Sequence, residues 1–377
     1  MISKCFGHLI GNLSVLNLEQ NNLNGPIPEA YTKRCKLQIF KVNGNQLQGK
    51  LPRSLENCKN MEVLDVGNNQ LSGTFPFWLE SLPQLRVLVL QSNKFYGPIT
   101  QKPKVVADSH SPFPMLHVFD ISLNSFTGKL PLEYICQWKS MLVTDKPQLA
   151  HYISWQNSSS LADLIYEVKL KIVSKGISLE MEKVIETFTT INLSYNKFRG
   201  NISVAIGELR ALMGLNFSAN DLTGQIPSSL AQLTMLESLD LSKNILSREI
   251  PQRLGSLTFL AVLNLSPNHF TGMIPQDNQF GTFSVASYEG NEGLCGFPLP
   301  KRCGITERAL PPASIDSTSL LDWRFVIAGY CSGVIIGVLI GQTMFWRIIG
   351  CFKLTSRMKR FKPKQKSKKS KRHGRGI

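Results

Sequence analysis

The chain has 377 residues and a formal net charge of +16, but 13 of its 42 Lys and Arg lie in residues 347–377, which contain no acidic residue. Residues 1–321 contain 28 basic and 25 acidic side chains, and this near balance excludes nucleic acid as a partner of the main part of the chain. The six histidines are scattered, and no phosphate-binding loop or paired acid is present, which argues against an enzyme, a cofactor and a zinc site.

The first residues of the chain do not have the apolar core of a signal peptide, because residues 1–12 contain no apolar run of sufficient length. The chain also begins inside what the pattern described below indicates is the end of an earlier repeat. We therefore expect a preceding N-terminal part with a signal peptide and a cap. A shortened gene product is the alternative.

A pattern of 24 residues recurs along the chain, with an asparagine at a fixed position after two leucine-type residues. The nine asparagines are Asn21, Asn45, Asn69, Asn93, Asn124, Asn196, Asn220, Asn244 and Asn268. Self-similarity at this period predicts a solenoid, in which each repeat buries its apolar residues against its neighbours. The expected fold class is an α/β-type solenoid with short parallel strands, a 3-10 or irregular convex side, an island insertion and one transmembrane helix.

The pattern and its interruptions predict seven segments. They are five repeats in 1–131, an island in 132–187, four repeats in 188–275, a cap in 276–304, a juxtamembrane linker in 305–324, a membrane span in 325–346 and a basic tail in 347–377.

Each part of the repeat has a physical role. The leucines should point inward from a short strand, and the residues between them should point to solvent on a concave face. The asparagine should turn inward and bond backbone groups that are left free where the strand ends, so we interpret it as structural. The Gly-x-Ile-Pro ending predicts a turn followed by an extended return segment.

Variable outward residues of the strands are the candidates for ligand contact. They are Glu62, Asp65, Asn68, Arg86, Gln91, Ser92, His117, Asp120, Glu237, Asp240 and Lys243. Exposed polar residues are ordinary on any strand, so the surface as a whole is a better candidate than any single member.

The island breaks the period of the repeats. Residues 166–173 alternate polar and apolar side chains, which predicts one strand with a polar face. Trp138, Tyr152, Trp155 and Tyr166 are more aromatic residues than a disordered linker usually has. We interpret the island as a folded segment that packs against the solenoid and is a candidate for ligand contact, with a disordered linker as the alternative.

Cysteines and glycosylation sequons indicate an oxidising, extracellular environment. Cys295 and Cys303 follow the last repeat, and a disulfide there would cover the end of the solenoid. Cys35 and Cys58 lie at corresponding parts of adjacent repeats and could also pair. The Asn-x-Ser sequons are at Asn12, Asn157, Asn192, Asn201, Asn216 and Asn264. The repeat pattern itself generates some of them, so each is a weak signal alone.

The apolar segment after the cap has the length of a membrane-spanning helix. Residues 325–346 contain no charge and would extend about 33 Å at ~1.5 Å per residue. Trp323 and Trp346 lie at its ends, and the basic tail places the C-terminus in the cytoplasm, where it should contact anionic lipids. A glycine recurs every four residues, which favours close packing with a partner helix. These glycines are Gly329, Gly333, Gly337 and Gly341.

The Gly-x-Ile-Pro repeats, residues 138–141, 174–180 and 188–194 around the island, and above all the block 287–299 resemble plant leucine-rich-repeat receptor-like proteins, particularly the tomato Cf-type resistance proteins. The resemblance covers residues 13 to about 347. Two local departures are Arg248 at the position of the repeat glycine and Ser203 at that of the repeat proline, and the acidic juxtamembrane stretch of the family is reduced.

The resemblance implies a single-pass plasma-membrane glycoprotein with its N-terminus outside the cell and no kinase domain. It would bind an extracellular protein or peptide ligand, from a pathogen or from the plant, and signal in defence through an adaptor receptor-like kinase that contacts the glycine face of the span. Two alternatives stay open. One is a truncated, non-signalling product or decoy, and the other is an inhibitor of secreted cell-wall enzymes, although such inhibitors have no membrane span.

Overall fold

The protein is described here by a computed structural model. The described residues are 13–100, 111–142, 154–157, 164–167, 170–174, 177–181, 188–304 and Ile336, Gly337 and Gln342. The chain divides into two compact units, Met1–Ile305 and Thr306–Ile377. The repeats all lie in the first unit.

Nine short strands of the first unit form one parallel sheet, the main sheet, and follow one another in chain order. The strands are Val15–Asn17, Ile39–Lys41, Val63–Asp65, Val87–Val89, Val118–Asp120, Thr190–Asn192, Gly214–Asn216, Ser238–Asp240 and Val262–Asn264. The central residue of each strand is buried, and these residues stack in register from Leu16 to Leu263. The parallel solenoid expected from the repeat pattern is confirmed.

The island leaves the main sheet without interrupting it. Strand Val118–Asp120 pairs directly with Thr190–Asn192, and Phe119 lies opposite Ile191. The described residues of the island include two antiparallel strand pairs. Their strands are Ser154–Asn157 with Leu164–Glu167, and Leu170–Ser174 with Ile177–Met181. The prediction of a single strand over 166–173 is therefore wrong, because one strand ends at Glu167 and another begins at Leu170.

The first residues of the predicted island belong to the fifth repeat. Two short α-helices, Leu132–Ile135 and Lys139–Leu142, pack into the hydrophobic core. The buried Trp138 lies edge-on to Phe119, with ring centroids 5.0 Å apart. The predicted boundary at 132 marks the place where the period breaks, but the apolar face of these helices is buried in the core of the repeats. The fifth repeat therefore extends to 142.

A second parallel sheet follows the repeat asparagines and was not predicted. Its ten strands are Asn24–Gly25, Gln46–Gly49, Gln70–Gly73, Lys94–Pro98, Ser125–Gly128, Lys197–Gly200, Asp221–Gly224, Ile245–Glu249, His269–Met273 and Gly293–Cys295. Most contain the repeat glycine in a left-handed conformation. Gly128, for example, has φ 85°, and a Cβ atom there would lie 3.2 Å from Cβ of Pro98 in the preceding repeat.

The side opposite the main sheet is built from short 3-10 helices, as expected. They are Arg53–Asn57, Phe77–Ser81, Val204–Glu208, Ser228–Gln232, Gln252–Ser256 and Asn278–Thr282. A further 3-10 turn, Val285–Ser287, lies instead beside the last strand of the main sheet, where the N–H of Leu265 donates to the carbonyl of Ser287. Proline precedes several of them and fixes φ for the first turn. In the third helix Ser203 replaces that proline, and its hydroxyl accepts a hydrogen bond from the N–H of Ala205. Arg248 adopts φ 70° in place of the repeat glycine.

Both predicted disulfides are present. Cys35 bonds Cys58, with Cα atoms 4.8 Å apart, and Cys295 bonds Cys303, with Cα atoms 5.1 Å apart. The cap does more than the prediction stated, because it continues the repeat. Asn291 accepts from the N–H of Phe270 at 3.1 Å and donates to the carbonyl of Leu265, in the same way as a repeat asparagine such as Asn45 bonds the repeat before it.

The predicted membrane span at 325–346 lies outside the described residues except for Ile336, Gly337 and Gln342, which are helical. Within the part of the chain that the structure describes, no helix has the length and apolar content required to cross a bilayer. The juxtamembrane linker, the basic tail and Gly329, Gly333 and Gly341 also lie outside the described residues.

Candidate functional site

The candidate site is the outer face of the main sheet and the loops that follow its strands. Because the strands are parallel and in register, equivalent residues of successive repeats form rows. The strand-end row is the last residue of each strand: Asn17, Lys41, Asp65, Val89, Asp120, Asn192, Asn216, Asp240 and Asn264. The loop row lies three residues further on: Gln20, Gly44, Asn68, Ser92, Leu123, Tyr195, Ala219, Lys243 and Pro267.

The strand-end row is mainly structural. The carboxylate of Asp65 accepts a hydrogen bond from the N–H of Gly67 at 3.0 Å. Asp120 accepts from both the N–H and the hydroxyl of Ser122, at 2.9 and 2.6 Å. These are Asx turns, in which a short side chain satisfies the backbone just after a strand. Asn192, Asn216, Asp240 and Asn264 bond in the same way.

Three of the predicted ligand-contact residues are therefore not on an open surface. Asp65 and Asp120 retain only 3% and 2% of their exposure, because their carboxylates turn back to the chain. His117 is also buried, directly before the strand Val118–Asp120; its N–H donates to the carbonyl of Arg86, and its carbonyl accepts from the N–H of Thr190. Neighbouring strands about 4.8 Å away on both sides leave little room for solvent. The expectation that these side chains face solvent is wrong.

Burial changes the acidity of the strand-end carboxyls. Desolvation raises the pKa of Asp65 to about 7, and the N–H of Gly67 and the ammonium of Lys41 only partly oppose it. Desolvation also raises the pKa of Asp120 and of Asp240, again against hydrogen bonds from the serine two residues on. Lys41 forms an ion pair with Glu19, with 2.6 Å between Nζ and Oε2. This end of the sheet therefore contains a buried group that titrates near neutral pH.

The repeat asparagines form a continuous ladder, as predicted. The side-chain oxygen of Asn45 accepts from the N–H of Leu23 at 3.0 Å, and its amide donates to the carbonyls of Leu18 and Val42. Equivalent bonds recur at each later repeat and reach Asn268. Each asparagine from Asn45 to Asn268 therefore joins its own repeat to the preceding one, so we interpret its role as structural.

The loop row provides the exposed residues of the site. Almost all of its members have left-handed backbone, including Leu123 with φ 53° and Tyr195 with φ 52°. Leu123 and Tyr195 are 44% and 48% exposed and lie in the adjacent repeats on either side of the island. Lys243 extends past the small Ala219, and its Nζ lies 3.4 Å from the hydroxyl of Tyr195 and 5.7 Å from the ring centroid.

Sequence reasoning found Asn68, Ser92 and Lys243 in this row but missed Leu123 and Tyr195. The available signal was a large leucine or tyrosine side chain directly before the repeat asparagine, at a position that faces solvent and adds nothing to the core. Leucine and tyrosine in left-handed backbone each cost about 1 kcal/mol relative to glycine. The left-handed backbone is common to the row, so it is the exposure of these two large side chains that makes them candidates for contact with a partner.

The remaining predicted residues lie at two other positions of the face. Glu62 and Arg86 directly precede the adjacent strands Val63–Asp65 and Val87–Val89 and form a partly buried ion pair, with 3.4 Å between Nε of Arg86 and Oε2 of Glu62. Glu237 occupies the same position in the third repeat after the island, directly before the strand Ser238–Asp240. Gln91 and Asp240 are half-buried. The structure thus brings Glu62 and Arg86 together but leaves Lys243 several repeats away from both.

A second candidate surface is a cleft of about 1090 Å³ beside the second sheet. Phe77, Trp78 and Tyr96 give it flat aromatic contact area, and Arg53 and Glu56 form an ion pair at 3.3 Å in its lining. These opposite charges compensate each other, so the cleft favours neither an acidic nor a basic ligand. None of the predicted ligand-contact residues lines it.

Comparison with known proteins supports the repeat assignment. The family described as Leucine rich repeat matches residues 35–95, and Leucine Rich Repeat matches residues 12–33 and 235–257. Receptor like protein 27 of Arabidopsis thaliana is 48% identical over 251 residues, which are 67% of this chain and 30% of that protein. Receptor-like protein Cf-9 homolog of Solanum lycopersicum is 50% identical over 240 residues, 62% of this chain and 28% of that protein.

The chain belongs to the plant leucine-rich-repeat receptor-like proteins. A third relative, Receptor-like protein 34 of Arabidopsis thaliana, is 40% identical over 350 residues, 91% of this chain and 35% of that protein. This receptor-like protein therefore spans about a third of the length of the curated relatives it matches.

Solved ectodomains have the same fold as this receptor-like protein. The leucine-rich-repeat ectodomain of the Arabidopsis thaliana receptor kinase GASSHO1/SCHENGEN3, in complex with CASPARIAN STRIP INTEGRITY FACTOR 2, matches 80% of this chain and 32% of that chain, with TM-score 0.57 and 28% identity. The plant peptide hormone receptor RGFR1, in complex with RGF2, matches 78% and 36%, with TM-score 0.55 and 27% identity.

Proposed function

We propose that this receptor-like protein is a kinase-less cell-surface receptor that binds an extracellular protein or peptide through its repeats and signals in plant defence through a separate receptor-like kinase. The observation that carries the proposal is the exposed part of the loop row, centred on Tyr195 and Lys243. It runs along a main sheet of nine strands, which extends over about 40 Å at ~4.8 Å per strand.

The shape of this surface favours an extended ligand. Small molecules usually bind in enclosed apolar pockets, whereas the loop row is an open edge with exposed side chains in successive repeats. Tyrosine and lysine at such an edge provide an aromatic anchor and a positive charge. The two similar ectodomains named above were both solved in complex with a ligand, and one of them, RGFR1, is a plant peptide hormone receptor. Both findings support a peptide or protein ligand for this chain.

The partner kinase is proposed from the sequence of the span. Four glycines at intervals of four lie on one face of a helix and allow another helix backbone to approach closely. We expect a receptor-like kinase to pack on this face and the basic tail to contact anionic lipids of the inner leaflet. Outside the cell, the repeats would remain free for the ligand.

The proposal is tested with the full chain in plant cells. Replacing Gly333 and Gly337 with leucine should abolish co-purification of a receptor-like kinase, because the added side chains separate the two helices. Surface biotinylation should still label the variant. The matched control replaces Val334 and Val338 with leucine, which keeps the spacing of four but lies on another face. Unchanged kinase recovery in the glycine variant would disprove helix packing, and a chain that surface biotinylation never labels would disprove the receptor function.

A further inference from the structure

The sequons of the repeat region differ in how far the asparagine is buried and bonded. Asn192 is in the strand-end row and is only 3% exposed. Its amide nitrogen, the atom to which a sugar would be attached, donates to Oδ2 of Asp120 at 3.1 Å. Its oxygen accepts from the N–H and the hydroxyl of Ser194, the third residue of the sequon, at 3.2 and 2.7 Å. All the groups of this sequon are therefore used inside the sheet.

Asn201 is in the opposite situation. It is exposed and follows directly after the second-sheet strand Lys197–Gly200. In the next repeat, Gly224 lies beside it, and a Cβ atom on Gly224 would be 3.4 Å from Cβ of Asn201. At this contact the neighbouring repeat presents the backbone of a glycine to the asparagine and not a side chain. This sequon exists because Ser203 replaces the repeat proline.

Asn216 and Asn264 are intermediate. Both are half-buried in the strand-end row, where their oxygens accept from the N–H groups of Ser218 and Ser266 at 3.0 and 3.1 Å. In an Asx turn an asparagine bonds the residue two positions later, and an Asn-x-Ser sequon has the same spacing. An asparagine that forms this turn with a serine is therefore also part of a sequon. The sequon pattern at these positions therefore has a structural explanation.

We propose that Asn201 carries an N-linked glycan in the folded protein and that Asn192 does not. The inference rests on the proposed function, because the sugar is added only to repeats that enter the secretory lumen. A transferase there moves an oligosaccharide from a lipid pyrophosphate donor. The bond from the sugar C1 to the pyrophosphate oxygen breaks, a bond from C1 to Nδ2 of the asparagine forms, the amide proton goes to a base of the transferase, and the lipid pyrophosphate leaves.

Folding then selects between the two sites. A sugar on Asn192 would replace the hydrogen bond to Asp120 and would have to fit between the fifth and sixth strands of the main sheet, so chains modified there do not complete the sheet. A sugar on Asn201 projects from the end of a second-sheet strand into solvent. The glycan of the mature receptor therefore leaves the loop row open for a ligand.

The inference is tested by mapping occupied sites in the surface pool of the full chain. Surface-biotinylated protein from plant cells is digested and treated with an N-glycan amidase in ¹⁸O water, which converts each occupied asparagine to heavy-labelled aspartate. We expect label at Asn201 and none at Asn192. Label at Asn192, or no label at Asn201 while other sequons are labelled, would overturn the inference alone. Absence of label at every sequon would overturn both this inference and the extracellular function.

Three variants keep the result independent of folding effects. Asn201→Gln and Ser203→Pro should each lower the mass of the surface protein by one glycan, and Ser203→Pro does so by restoring the residue of the other repeats. Asn192→Gln should leave the mass of the surviving surface protein unchanged. A mass loss of one glycan in Asn192→Gln would contradict the assignment.

Discussion

At the scale of single residues, Asp65 gives the receptor a dependence on pH that the sequence does not show. Its pKa of about 7 lies above its ordinary value of 3.8 because of burial, so the folded state binds the proton more tightly than the unfolded state. The stability from this group is fully present below its ordinary pKa and is lost as the pH rises through about 7.

We predict that Asp65→Asn reduces this loss. The asparagine oxygen can still accept from the N–H of Gly67, as Asn192 and Asn216 do from their serines, but the amide does not ionise. At pH 8 the variant should exceed the wild type by about 1–3 kcal/mol in free energy of unfolding, and the difference should shrink towards pH 4.

Thermal unfolding between pH 4 and 8 measures this difference. Asp221→Asn is the control, because Asp221 is an exposed residue of a second-sheet strand and its substitution should have little effect at any pH. If Asp65→Asn and the wild type lose stability in parallel between pH 4 and 8, the buried carboxyl is not the source of the dependence.

At the scale of elements, Asn196 links the repeats on the two sides of the island by side-chain hydrogen bonds. It is buried, accepts from the N–H of Phe126 at 3.0 Å, and donates to the carbonyl of Ile121 in the fifth repeat. These contacts join residues separated by 70 and 75 positions in the sequence. Removing the side chain leaves buried backbone groups without partners, which is the costly way to lose a hydrogen bond.

We therefore predict that Asn196→Ala lowers the free energy of unfolding by about 2 kcal/mol or more. Asn21→Ala is the matched control, since Asn21 is exposed and donates only to Leu18 and Glu19. Its effect should be within about 0.5 kcal/mol. Denaturant unfolding of both variants gives the comparison, and equal effects would show that the ladder across the island contributes no special stability.

The same elements show what a sequence can predict and what it cannot. The period, the asparagine ladder and the disulfides follow from repeated positions, because each repeat faces the same packing problem. The second sheet could not be predicted, since strands such as Asn24–Gly25 are too short and too rich in glycine for an alternating pattern. The cap asparagine, Asn291, had a usable signal, because it lies 23 residues after Asn268.

The site was harder to predict than the fold. A carboxylate at the end of a strand has the same sequence pattern whether it faces solvent, as we expected for Asp120, or bonds the backbone, as it does. The spacing of Asp120 and Ser122, repeated at Asn192 and Ser194, was the sign of an Asx turn. Tyr195 was missed because nothing in the period distinguishes a residue selected for contact from one that is merely tolerated.

At the scale of the whole molecule, the main-sheet strands in the described residues pair only with their neighbours in chain order, so we expect the stability of the solenoid to be a sum of local terms and neighbour interfaces. The C-terminal end depends on the cap. Asn291 bonds Phe270, Leu265 and Tyr288, and the strand Gly293–Cys295 completes the second sheet. Tyr195 and Lys243 of the loop row lie in the four repeats that this cap closes.

A local defect in the cap should therefore remain local. We predict that Asn291→Ala increases backbone hydrogen exchange in the strands His269–Met273 and Val262–Asn264 by tenfold or more, about 1.4 kcal/mol or above in opening free energy, because their bonds to the cap weaken. Exchange in Val63–Asp65 should not change, since several repeats separate it from the cap. Glu292→Ala, at the exposed neighbouring position, is the control. If exchange rises equally along all nine strands, the solenoid unfolds as a single cooperative unit, and the surface around Tyr195 could not open independently of the N-terminal repeats.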